Sequence, residues 1–395
     1  MKLHDFLWTA AILLLVIGLA TQVASRLRLG AVLGTLVAGV VLGPHGANLA
    51  HDVDRARSFT ELGVVFLMFS IGLEMDIGKL TRLKRLVFGM GLLQIVISGS
   101  LIALLMFLLG GDYRVALIGG FGLSLSSTAI ALKLLDDANE RYTPHGEAAF
   151  ATLLMQDLAV VPLLAIVPLL GSGDGGDHVS FATAAPKIAI ALAVVIVGGR
   201  WILPFLLRQT LRFGNPPGFV AVTLLAVFAA SLIMEWAALS MSLGAFLLGL
   251  QIRDDTIRRR IESVTVPATE IMLALFFVAV GMSIDLPLMR NHWLKIGGIV
   301  LAVMTIKVLV TYVLGRAFGL TSRGALRVAF LLAQAGEFCF VLFAAISATG
   351  LGRHNLFNIA VLGVSVSMAL TPIVARLGGR WTRIPRLDST PPEPA

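Results

Sequence analysis

The sequence predicts an all-α membrane protein of about 13 transmembrane helices, built as inverted-topology repeats with two discontinuous crossing helices. Three observations carry this expectation. The 395 residues are 57% hydrophobic and only 14% charged, with a mean hydropathy of +0.91, which leaves too little polar residue to cover a soluble surface. Lysine and arginine concentrate in alternate loops between the apolar runs. Segments about 209 residues apart match one another in order along the chain.

Apolar runs bounded by polar, Gly or Pro breaks place the spans near 6–24, 30–44, 59–76, 84–110, 114–135, 145–170, 182–207, 217–236, 239–252, 264–282, 292–315, 324–348 and 355–376. The second and ninth are short, so tilt or a flanking loop must complete them. Arg26 and Arg28 follow the first span, which favours a retained span over a cleaved signal peptide. One set of alternate loops, with the C-terminus, holds 22 of the 31 Lys and Arg residues; the other set, with the N-terminus, holds 8, and Lys307 lies inside span 11. The positive-inside rule then puts the N-terminus outside and the C-terminus in the cytoplasm. The net charge of +8 thus belongs to loops at a membrane surface, and no nucleic-acid partner is expected.

Several local features read plainly. The loop GSGDGGD (171–177) has no strand before it and does not repeat, so it reads as a flexible connection rather than a phosphate or calcium loop. A single cysteine, Cys339, excludes a disulfide framework and a cysteine metal cluster. The seven histidines fall in loops or at span ends and no H-E-x-x-H occurs, which argues against an intramembrane protease. Residues 1–378 are expected to form one transmembrane domain and 379–395 a disordered cytoplasmic tail.

The repeat carries more weight. TELGVVFLMFSIGLEMDI (60–77) aligns without gaps on TEIMLALFFVAVGMSIDL (269–286), pairing Thr60, Glu61, Gly72 and Asp76 with Thr269, Glu270, Gly281 and Asp285. The same offset of 209 sets Ala116, Leu117 and Phe121 on Ala325, Leu326 and Phe330, and an offset of 210 sets LGTLVAG (33–39) on LGAFLLG (243–249). Span 3 thereby pairs with 10, 5 with 12 and 2 with 9. Each pair is an odd number of spans apart, so the halves run in opposite directions and span 7 links them. Inverted repeats of this kind mark secondary transporters, with the substrate site at mid-membrane between the halves.

Polar residues inside the spans locate that site. Span 6 carries Gln156 and Asp157 near its middle, where a carboxylate costs about 2.5–3.5 kcal/mol on insertion scales. Span 5 contains SLSSTAIA (124–131) and span 12 contains LAQAGEFC (332–339), with Ser127-Thr128 falling on Gly336-Glu337. Polar and glycine residues at matching depth are the sign of broken helices, whose free carbonyls and hydroxyls can coordinate a cation. Asp157, Gln156, Ser126, Ser127 and Thr128 are therefore the candidate ion-binding residues. Lys307 and Glu337, also deep, are charge-compensating candidates that either serve the ends of the half-helices or pair with each other.

The stretches MQDLAVVPLLAIVPLL, LSLSSTAIAL, FSIGLEMDI, FFVAVGMSIDL and LAQAGEFCFVLF resemble the membrane domain of Kef-type potassium/proton antiporters, within the monovalent cation:proton antiporter superfamily. The resemblance covers residues 6–376. It implies a homodimer in a bacterial inner membrane, with a moving core of spans 3–6 and 10–13 and a dimerisation scaffold of spans 1, 2, 8 and 9. The G-x-x-x-G pairs Gly30/Gly34 and Gly39/Gly43 suit close packing in such a scaffold. Within the motif, Asp157 matches the ion-binding carboxylate and Gln156 the residue before it; Lys307 and Glu337 match charged positions. Two departures stand out: no G-x-G-x-x-G followed by a βαβ pattern occurs, so no nucleotide-binding regulatory domain is expected, and the loop RRRIESVTVP (258–267) is basic where an acidic regulatory stretch is expected. Gating is then absent or supplied by a separate cytosolic regulatory subunit.

The resulting expectation is an antiporter, not an enzyme, exchanging K+ (or Na+) for H+ one for one, without a cofactor and with no metal beyond the transported cation. A cation channel on the same site is disfavoured by a single titratable mid-membrane Asp within inverted repeats. A sodium-coupled symporter of organic anions is disfavoured by the lack of any Arg at mid-membrane.

Overall fold

The computed structural model describes residues 3–26, 31–44, 46, 53–74, 82–171, 181–237, 239–282, 284, 286–350 and 354–382. Every element among them is a helix. The first half holds α1 (Leu3–Arg26), α2 (Ala31–Leu42), α3 (Val53–Glu74), α4 (Leu86–Leu108, opening with the π-helical turn Leu86–Gly91), α5 (Tyr113–Ser124), α6 (Thr128–Asp137) and α7 (Pro144–Gly171). A linker, α8, runs over 181–212 as Phe181–Val197, a π-helical stretch Gly198–Ile202, and Leu203–Arg212. The second half holds α9 (Pro216–Trp236), α10 (Met241–Leu250), α11 (Asp255–Met282), α12 (Leu286–Ala317), α13 (Ser322–Leu331), α14 (Phe338–Ala348) and α15 (His354–Thr382).

The two halves recur element by element. Tyr113 opens α5 and Ser322 opens α13, 209 residues on; Pro144 opens α7 and His354 opens α15, 210 residues on. The caps recur too. Asp112 accepts the backbone N–H groups of Arg114 and Val115 at the start of α5, and Thr321 accepts that of Gly324 at the start of α13. Each side chain satisfies N–H groups that a helix start leaves unpaired.

Two glycine contacts show the same relation in packing. Gly39 of α2 lies against Gly281 of α11, where a Cβ would stand 2.9 Å from the Gly281 Cα. Gly249 of α10, the counterpart of Gly39, lies against Gly72 of α3, the counterpart of Gly281, at 3.1 Å from the Gly72 carbonyl carbon. No side chain larger than hydrogen fits between these backbones, so small residues set the helix separation. Gly34 likewise abuts α1 and Gly43 abuts Met282, so the glycine stripe of α2 packs within this chain.

Burial runs inside out relative to a soluble protein. Leu14, Leu19, Phe107, Leu108, Leu225, Leu232, Leu301 and Val313 are exposed, as befits a surface that faces lipid. Among the described residues six helices are by themselves long and apolar enough to cross a bilayer, or seven counting the bent pair Ile359–Thr371 and Ile373–Gly379. In five of the six, 28% to 39% of the apolar window is buried; in Pro144–Val167, within α7, it is 61%. The helix that carries Gln156 and Asp157 is therefore the most enclosed of these six. One core gathers α4, α5, α7, α12, α14 and α15 around it, and a second gathers α3 with α8–α11.

Two boundaries differ from the expectation. Residues 258–267 are not a loop but lie inside α11, which starts at Asp255. Asp254 accepts the N–H groups of Thr256 and Ile257, and Arg258 pairs with Asp255 and Glu262 at one-turn spacing, so the basic stretch propagates as helix. Residues 379–382 are likewise helical, as the last turn of α15. The proposed loop from 172 onwards, the tail from 383, Gly30, and the repeat-matched Asp76 and Asp285 lie outside the described residues.

Candidate ion site

Both expected breaks are present. The helix of span 5 ends at Ser124, runs extended through Leu125–Ser127 and resumes at Thr128. That of span 12 ends at Leu331 and resumes at Phe338. The unwound segments meet: the Gly336 N–H donates to the Leu125 carbonyl at 3.0 Å, and a Cβ at Gly336 would stand 2.7 Å from the Ser126 carbonyl group. Unwinding frees backbone groups that hydrocarbon cannot satisfy, so each needs an internal partner.

Lys307 supplies much of it. Its side chain, fully buried on α12, donates to Leu125 O at 2.7 Å, Gln334 O at 2.5 Å and Ser126 Oγ at 3.0 Å. Three ammonium protons meet three acceptors. Leu125 is the C-cap of α5, and Gln334 follows the end of α13; the cation thus sits where two helix C-termini present negative partial charge. Glu337 occupies the opposite ends. It is the N-cap residue of α14, and its carboxyl is hydrogen-bonded by Ser127, the N-cap residue of α6. Of the two arrangements open to this pair, the structure shows the helix-end one: among the described residues Lys307 and Glu337 form no ion pair with each other.

The ion-binding candidates come together, with separate partners. Thr128 Oγ1 donates to Asp157 Oδ1 at 3.0 Å. Gln156, one residue earlier on α7, faces the other way and accepts the Ser126 N–H through Oε1 at 2.8 Å. Ser126 Oγ donates to Leu332 O at 2.9 Å while accepting from Lys307, so its hydroxyl ties the two breaks together. Ser127 Oγ accepts the Ile130 N–H at 3.4 Å, capping α6. The Thr128 hydroxyl thus lies against the Asp157 carboxylate.

Polar groups beyond the sequence-based set also reach the junction. Gln94 on α4 accepts from Gln156 Nε2 at 2.7 Å, and Ser367 on α15 accepts the Ala335 N–H at 3.2 Å. A lone amide in LLQIVIS (92–98) was the available signal for Gln94; Ser367 had none beyond its polarity. Glu337 Oε2, Thr311 Oγ1 and both polar atoms of the Gln334 side chain are buried without a hydrogen-bond partner. Among the described residues no group of three His, Cys, Asp or Glu is placed to hold a metal, and the site is one of carboxylate, hydroxyl and carbonyl oxygens suited to a hard cation.

A second charged cluster closes one end of the bundle. Arg327 of α13 donates to Glu140 Oε2 at 2.8 Å and to Ala375 O of α15 at 2.6 Å, and His145 Nε2 lies 3.5 Å from the same carboxylate oxygen. Burial pushes the Glu140 carboxyl up, but the hydrogen bonds from His145 and Arg327 outweigh it and hold the group below its ordinary range.

Comparison with known proteins gives one family and one fold. The sequence model described as "Sodium/hydrogen exchanger, transmembrane" matches residues 11–376. Two structures of the sodium proton antiporter MjNhaP1 from Methanocaldococcus jannaschii are similar along their length. One, at pH 8, has a TM-score of 0.71 at 16% identity and covers 97% of this chain and 100% of that one. The other, from an electron-microscopy map, has a TM-score of 0.66 at 14% identity and covers 100% of both. At these identities the likeness is one of fold.

Proposed function

This chain belongs to the sodium/hydrogen exchanger family of integral-membrane cation:proton antiporters, and we propose that its exchange runs through Asp157, with Thr128 beside it. The observation that carries the reading is the 3.0 Å contact of Thr128 Oγ1 with Asp157 Oδ1 at a helix break, against the most enclosed of the six long apolar spans among the described residues. A proton and a dehydrated cation compete for one carboxylate, since each neutralises the charge that the other would.

The charges around the junction support one-for-one exchange. Asp157 and Glu337 contribute −2 and Lys307 +1 when all are ionised, so the empty site carries −1. One proton or one monovalent cation brings it to zero. The penalty for moving an uncompensated charge through low dielectric then falls on the empty form alone, which couples the two fluxes.

Two cations fit the reading. The Kef-type resemblance favours potassium; the family description and MjNhaP1, both named for sodium, favour sodium at least as strongly. The remaining expectations are carried forward in the same proposal. They are thirteen spans with each broken pair counted as one, a homodimer with spans 1, 2, 8 and 9 as scaffold, and a bacterial inner-membrane location with the C-terminus in the cytoplasm. The recurrence of α1–α7 as α9–α15 and the lysine and arginine distribution support the topology.

The test is cation-induced proton movement in proteoliposomes, comparing potassium, sodium, lithium and rubidium in wild type and Asp157→Asn. Exchange lost in the variant while the protein stays folded supports the site; retained coupled exchange overturns it.

A further inference from the structure

A primary amide in an apolar span has two donors and an acceptor to satisfy without water. Gln94 on α4 and Gln156 on α7 are both fully buried, and they solve the problem jointly. The orientation of each follows from one fixed point. The Ser126 backbone N–H can only donate, so the Gln156 atom 2.8 Å from it is the oxygen. The Gln156 NH2 is then turned toward α4, where Gln94 Oε1 accepts at 2.7 Å. That places the Gln94 NH2 on Ser124 O at 3.2 Å and Ser98 Oγ at 3.4 Å. The chain of bonds is polarised from end to end, and it finishes at Ser124, the last residue of α5, and at Ser126, inside the unwound segment.

We propose that Gln94 is a positioning residue for cation binding, holding the Gln156 amide on the unwound segment 125–127 so that Thr128 keeps its place on Asp157. The inference rests on the reading of Asp157 as the exchange site. The break is held from two directions. Lys307 grips Leu125 O and Ser126 Oγ from α12, and Gln156, braced by Gln94, grips the Ser126 N–H from α7. Without Gln94 the Gln156 NH2 keeps only a 3.4 Å contact to Ser124 O, and its amide is free to turn. Ser126 N lies two residues before Thr128, so slack there reaches the hydroxyl on Asp157. The Lys307 side of the junction is untouched, so assembly persists while cation affinity falls.

Two variants and two readouts test this. Gln94→Leu removes both halves of the brace and should raise the KM for cation about tenfold, the scale of one net hydrogen bond, with the maximal rate within about twofold of wild type. Gln94→Glu is isosteric. Its carboxylate accepts from Gln156 but faces the Ser124 carbonyl with no proton to donate, and only the protonated acid restores both bonds. Its KM should therefore be raised at alkaline pH and return to the wild-type value as pH falls. Asp157 on α7, Lys307 on α12 and Glu337 before α14 are present in wild type and both variants, so Gln94→Leu, which adds no ionisable group, is the reference against which the pH profile of Gln94→Glu reads position 94. Cation-dependent thermal stabilisation of the detergent-purified protein reports binding without transport and should show the same loss of affinity. Wild-type KM, pH profile and thermal shift in both variants would overturn the inference, as would a fall in maximal rate with KM unchanged. Should Gln94→Leu not fold, Gln94→Glu at acid and alkaline pH decides. A wild type without Asp157-dependent exchange overturns the functional reading instead, and the thermal arm still decides on Gln94.

Discussion

Gly336 donates its backbone N–H to the carbonyl oxygen of Leu125 at 3.0 Å, so two broken helices from the two halves of the chain touch backbone to backbone. The contact depends on a missing side chain, because a Cβ at 336 would stand 2.7 Å from the Ser126 carbonyl group. Gly336→Ala should force the segments apart and destabilise the protein by about 1–3 kcal/mol, the usual cost of overpacking. The check is thermal unfolding in detergent; an unchanged midpoint with unchanged exchange would show that the junction tolerates the methyl group.

Asp157→Asn should abolish exchange and leave folding intact. The amide keeps the shape of the carboxylate and can still accept from Thr128, but it carries no charge for a cation or a proton to neutralise. Flux assays paired with thermal unfolding separate the two effects.

The three hydroxyls of the break should behave differently. Thr128→Ala removes a bond to Asp157 itself and should weaken apparent cation affinity by up to about tenfold with stability nearly unchanged. Ser126→Ala removes the bond to Leu332 O and one acceptor of Lys307, so its effect should appear in stability, at about 1–3 kcal/mol. Concentration dependence and melting curves on both variants would reveal a reversed pattern if the assignment of partners were wrong.

Exchange should be insensitive to an imposed membrane potential. The loaded site is neutral with either substrate, so no net charge crosses in the steps that move it. Proteoliposomes clamped with an ionophore provide the measurement, and a rate and end-point that both depend on potential would refute one-for-one stoichiometry. Gln156→Asp should introduce voltage dependence by adding a second carboxylate.

Glu140→Gln should cost about 1–2 kcal/mol near neutral pH, because Arg327 loses its charged partner and keeps the Ala375 carbonyl. The sign with pH follows from the lowered folded-state value of Glu140. Its contribution is fully present above the unfolded carboxylate range and is lost as pH falls through the folded-state value. The gap between wild type and variant should therefore close on acidification, as read from melting temperatures across a pH series.

What the sequence determined by itself was the class of the protein, the order of its helices and the addresses of its breaks. Apolar run length and the depth of a polar residue within a run are local properties, so Gln156, Asp157, Lys307, Glu337 and the SLSST and AQAGE stretches were legible at once. The repeat was legible because a near-constant offset survives in glycines that cannot be replaced where backbones touch, as Gly39 does Gly281 and Gly249 does Gly72. The helical state of 258–267 was hidden, since a basic stretch with an internal proline carries the signals of a loop, and caps and one-turn ion pairs outweighed them. Partnership was decided by tertiary structure alone. Thr128 donates to Asp157 and Ser126 to Leu332 O, Lys307 goes to carbonyls rather than to Glu337, Gln94 joins from 62 residues away, and Arg327 reaches Glu140 across 187. A buried polar atom takes whichever donor or acceptor the packing of other helices brings within about 3 Å, and no local pattern in the chain encodes which helix that will be.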